Sequence, residues 1–160
     1  MIQVESDQLI YFEIDHQQGS LLADKGQKIF KQAIQSLDLA PVPEGRQRFK
    51  FLIVGFADST VRVLSLEPES CLERVSMQAL PANPTAVAII EFNNTLYLHI
   101  GLENGVLLRT VIDSITGGLS DSRSKFLGLD RISLSKIVVK GQSAVFALST
   151  KPYLCYSHKN

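Results

Sequence analysis

Cysteine is scarce in this chain. Only Cys71 and Cys155 occur in 160 residues, each inside a β-like run, which excludes a disulfide-stapled scaffold and leaves no closely spaced thiol pair for zinc or redox chemistry. The expected setting is a reducing compartment. Surplus charge is missing as well: sixteen Lys and Arg balance sixteen Asp and Glu, so no summed field draws the chain to nucleic acid or to an anionic membrane. No apolar stretch reaches the roughly 18 residues of a membrane span. The opening "MIQVESDQLIYFEID" carries charges where a signal peptide needs an unbroken apolar region. A soluble intracellular protein without membrane contact is expected.

Catalytic patterns are equally thin. His16, His99 and His158 have no carboxylate, thiol or second histidine at metal-ligand or triad spacing. An inner strand could aim His99 at a channel, although a core imidazole bonded to backbone is the plainer reading of a buried polar group. Glu103 could be drawn as a general base, but it opens the hairpin "GLENG", whose Asn104-Gly105 pair suits the positive φ angles of a tight turn. "DSITGGLSD" has glycines without a P-loop lysine or dinucleotide spacing. Asp58 and Asp113 fall at turn positions, where carboxylates bond the local backbone. The expectation is no enzyme, no cofactor and no metal.

What the chain has instead is short apolar runs. Its 45% hydrophobic content suffices for one domain with a real core, since a chain of this size buries about two-thirds of its unfolded surface. "LIYFEI", "FLIVGF", "TVRVLSL", "TAVAIIEF", "TLYLHIGL", "GVLLRTVI", "ISLSKIVV" and "SAVFALS" are rich in β-branched and aromatic residues and separated by polar turns, so they read as strands. In "TVRVLSL", Val61, Val63 and Ser65 point one way and Arg62, Leu64 and Leu66 the other. Both faces are partly apolar, as sheets stacked on two sides require. All six prolines lie at run edges or between runs, where a missing N–H breaks no ladder bond. "KGQKIFKQAIQSL" spaces Ile29, Phe30, Ala33, Ile34 and Leu37 almost helically, yet it lies where the repeat demands strands and is assigned as strand.

That repeat is visible in register. Gly55 in "FLIVGFAD" and Gly101 in "LYLHIGLEN" are 46 residues apart, and a further 46 leads to Ala147 in "AVFALSTK". A weaker copy leads the chain, where "ESDQLIYFEI" parallels "LSTKPYLCYS". Four short antiparallel strands in roughly 40 to 50 residues, repeated in tandem, mark a β-propeller blade that buries its faces against its neighbours. The fold class is therefore all-β, a partial ring of two complete blades and two incomplete ones, near fourteen strands in all. The units are an incomplete blade at 1–31, blades at 32–81 and 82–130, and an incomplete blade at 131–160. Small residues at the repeated position suit close packing where inner strands crowd a central channel. End strands could pair to close a smaller ring, or stay open as an arc with free edges.

The segments "STVRVLSLEPESCLERVSMQALPANP", "LYLHIGLENGVLLRTVIDSITGGLSDSRSKFLG" and "GQSAVFALSTKPYLCYSH" resemble the large β-propeller subunit of splicing factor 3b. That family is shared with the large subunit of the damage-specific DNA-binding complex and the largest subunit of the cleavage and polyadenylation specificity factor. The resemblance covers almost the whole chain, and "SMQALP", "NGVLLRTV" and "GLSD" favour the splicing member. Family members are far longer, with three interlocked propellers, so the chain looks like later blades of the second. One departure is the turn between "IIEF" and "TLYLHIG", which is only Asn93-Asn94 where a longer loop is expected of the family.

The resemblance implies a nuclear, non-catalytic scaffold of splicing factor 3b, supporting branch-site recognition in pre-mRNA splicing. Implied partners are a helical-repeat subunit and small companion subunits, with nucleic acid contacted only indirectly. Binding by such a surface rests on a few buried apolar or Arg anchors within a polar rim. The densest exposed cations, Arg46, Arg48 and Lys50 in "PEGRQRFK", are the candidate partner-binding cluster, against the plain alternative of a solvated loop. Tyr11, Phe12, Tyr153 and Tyr156 could stack bases only along a basic track, which the sequence does not show; cross-strand packing is their ordinary use. The alternative function is a standalone β-repeat module that self-associates, or pairs with another propeller, through open blade edges.

Overall fold

The computed structural model describes residues 2–14, 17, 19 and 21–156; His16 and His158 lie outside them. Fourteen strands are described: β1 (Ile2–Glu5), β2 (Gln8–Ile14), β3 (Leu21–Ile29), β4 (Ile34–Leu39), β5 (Phe51–Phe56), β6 (Thr60–Ser65), β7 (Arg74–Ala79), β8 (Pro84–Phe92), β9 (Thr95–Leu102), β10 (Val106–Ile112), β11 (Leu119–Phe126), β12 (Ser133–Val139), β13 (Gln142–Leu148) and β14 (Pro152–Cys155). They form four antiparallel meanders: β1-β2-β3, β4-β5-β6-β7, β8-β9-β10-β11 and β12-β13-β14. Two complete blades thus stand between two three-stranded ones, a partial β-propeller. No ladder joins the first sheet to the last among the described residues, so the strands make an arc. "KGQKIFKQAIQSL" is extended, divided between β3 and β4.

Stacking follows from the alternation. On β5 and β6, Phe51, Ile53, Val61 and Val63 join Val87, Ile89, Leu98 and Ile100 of the third sheet in one core. The opposite face, with Leu52, Val54, Phe56 and Leu64, packs on Leu9 and Phe30 of the first sheet. The Phe30 and Phe56 rings lie 4.9 Å apart and tilted. Each central sheet buries both faces, which is why period-two strands here are apolar at odd and even positions alike. β8 packs against both β4 and β12, the first strands of the neighbouring sheets.

Turn chemistry sets the hairpins. Asn93 and Asn94 have φ of 48° and 59° in the two-residue turn between β8 and β9, the double left-handed conformation that matches strand twist. At "GLENG" the outcome differs from the expected pair of positive angles. Gly105 alone takes one, 77°, and its N–H donates to the Leu102 carbonyl at 3.2 Å, giving a three-residue loop. Gly105 is obligatory there for a second reason: a Cβ would lie 1.8 Å from the Gly128 carbonyl oxygen.

The repeated small residues pack between blades instead of into a channel. A Cβ on Gly55 would come within 2.9 Å of the Pro84 side chain, and one on Gly101 within 2.7 Å of Ile132. In each case the second strand of one blade meets the entry to the inner strand of the next. Ala147 is also fully buried, but it packs with Leu107, Leu127 and Ile132, facing back toward the blade before it.

Candidate functional site

The predicted cation cluster is largely engaged within the chain. Arg46 forms an ion pair with Glu67. Lys50 donates to the carbonyls of Ser114 and Ile115 at 2.9 and 2.7 Å and lies over the Phe51 ring, tying the second sheet to the loop between β10 and β11. Arg48 is exposed. Glu103, drawn from sequence as a conceivable base, is exposed and accepts from the Asn83 side chain at 3.2 Å. Asp113 behaves as a turn carboxylate should, accepting from the N–H groups of Ile115 and Thr116 at 2.9 and 2.6 Å. Those bonds hold its carboxyl below the usual carboxylate range. Asp58 departs from the backbone-bonding expectation: Thr60 and Arg62 side chains take its oxygens at 2.6 Å each.

A concavity lies between the third sheet and the last. It is a pocket of about 300 Å³ whose floor is His99 and Leu107 and whose walls include Tyr97, Arg109, Lys125 and Tyr153. Strand alternation builds it. Tyr97 and His99 occupy the face of β9 opposite the Leu98 and Ile100 core, and Arg109 on β10 stands directly across the ladder from His99. On β11, Arg123 and Lys125 extend the same wall. Arg109 lies 5.3 Å from the Tyr97 ring centroid and Lys125 lies 4.0 Å from that of Tyr153, so the aromatics spread two of the cations along the pocket.

His99 is the unusual residue. It is 2% exposed, a core imidazole bonded by the backbone of Ala88 and Tyr97, although its Nδ1 is buried without a hydrogen-bond partner. Burial, reinforced by the Arg109 charge, lowers its pKa to about 4, against a weaker pull from the backbone of Ala88 and Tyr97. The ring is neutral at physiological pH. Cys155 on the rim has its thiol pushed up by burial, with Arg109 and Lys125 opposing, which disfavours the thiolate. No cluster of three or more His, Cys, Asp or Glu suited to a metal ion occurs among the described residues. Sequence reasoning passed over Arg109, Arg123 and Lys125 because they are 14 and 2 residues apart in the chain; the antiparallel ladder, not sequence proximity, gathers them.

A second polar centre joins the blades near the ring axis. Asp38 on β4 accepts from the Ile89 N–H of β8 at 2.8 Å and pairs with Lys136 of β12 at 2.7 Å. One carboxylate thereby bonds the inner strands of three successive sheets, and no sequence signal marked it.

A stacked arc of three- and four-stranded antiparallel meanders defines the β-propeller class. Within that class, the chain belongs to the family described as the RSE1/DDB1/CPSF1 second beta-propeller, whose model matches residues 1–160. It is 47% identical to pre-mRNA-splicing factor rse1 of Emericella nidulans over 98% of the chain and 13% of that protein. Identity is 41% to splicing factor 3B subunit 3 of Danio rerio, over 100% of the chain and 14% of the relative. It is 43% to spliceosome-associated protein 130 A of Arabidopsis thaliana, over 99% and 14%. The chain therefore spans about one-seventh of the length of these relatives. Among solved structures, the crystal structure of BBS1N in complex with ARL6DN, soaked with lead, has a TM-score of 0.63 at 12% identity, covering 97% of this chain and 48% of that one; the likeness is one of fold.

Proposed function

We propose that the chain is a non-catalytic protein–protein interaction scaffold of splicing factor 3b, working in the nucleus and supporting branch-site recognition in pre-mRNA splicing. The observation that carries this reading is the match to splicing-factor relatives over 98–100% of the chain. The geometry agrees with it: stacked sheets that bury their faces against one another, joined by polar loops. The blade units are 1–31, 32–81, 82–130 and 131–160. Partners in this reading are the other subunits of the assembly, including a helical-repeat subunit and small companion subunits, with RNA reached through them. Arg48 and the loop that carries it form a rim contact, with Arg46 and Lys50 shaping that loop from within. Gly55, Gly101 and Ala147 set blade spacing, and Asn104 with Gly105 set the hairpin beside it.

The test is replacement. Residues 1–160 are exchanged for the matching segment of the Emericella nidulans relative, and the chimaera is asked to support splicing of a reporter intron after depletion of the native protein. Restored splicing with normal recovery of the other subunits is expected. A chimaera that folds and accumulates but neither recovers those subunits nor restores splicing overturns the reading.

A further inference from the structure

We draw no further inference here: the strongest candidate, the cleft between the third and last sheets lined by Arg109, Arg123 and Lys125, opens beside a last sheet of three strands where the two central sheets have four among the described residues, and nothing in the structure shows what covers it.

Discussion

His99 shows how one side chain registers its neighbours. On the sequence it is a polar interruption in "LYLHIGL"; in the fold it lies under a groove, opposite Arg109 in the ladder, with its pKa lowered to about 4 from 6.5. The consequence for stability has a definite sign. Between those two values the unfolded chain holds the proton and the folded chain does not, so the contribution is complete above about pH 6.5 and is lost as pH falls toward 4. The shift corresponds to about 3 kcal/mol across that window. Urea unfolding followed at pH 7, 6, 5 and 4.5 should show this decline, and His99→Gln should remove most of the slope between pH 6.5 and 5. Parallel pH profiles for the two proteins would mean that the imidazole is not desolvated as the fold requires.

Elements are held in register by contacts that no single strand reveals. Asp38 is the clearest case, because its carboxylate satisfies a backbone N–H on the inner edge of β8 and a lysine on β12 at once. Asp38→Ala leaves the buried Ile89 N–H without an acceptor and should cost about 2 kcal/mol, read as a lower urea midpoint at unchanged slope. Asp38→Asn retains an acceptor for Ile89 and loses only the charge on Lys136, which is half exposed; its cost should be smaller, below about 1 kcal/mol. Equal losses in the two variants would show that the ion pair, not the edge bond, is what matters. Hairpins, by contrast, are local. The Asn93-Asn94 turn was readable because two asparagines between apolar runs have few other conformations to offer. "GLENG" was read only in part, since the choice between a two-residue and a three-residue loop was made by the Gly128 backbone lying against Gly105.

At the scale of the chain, among the described residues, the first and last sheets each have three strands where the central two have four. The last sheet leaves an edge beside exposed Phe126, Leu154 and Tyr156, and such edges associate. Sedimentation equilibrium of the purified chain over a wide concentration range should therefore show species larger than the monomer appearing as concentration rises. A monomer that persists throughout with a cooperative β signal would mean that the terminal sheets satisfy one another or their own edges.

Much of this architecture was legible in advance for a physical reason. A strand with two buried faces must be apolar at successive positions, a turn must carry residues that tolerate it, and a blade that cannot stand alone must repeat; each leaves a local mark in composition or spacing. Strand order and the 46-residue period follow from such marks. The site does not, because its parts are local nowhere. Arg109 meets His99 through a ladder, Lys125 meets Tyr153 across a gap between sheets, and Asp38 reaches a lysine 98 residues away. Even the repeated small positions needed the fold to give their meaning: spacing placed Gly55, Gly101 and Ala147 in one series, and only the stacking of blades decided that the two glycines face forward and the alanine back. Sequence alone determined which segments become strands and how they repeat, since those choices are made by neighbours along the chain. Tertiary structure decided which side chains share a groove, since that depends on the angle and register at which one sheet lies on the next.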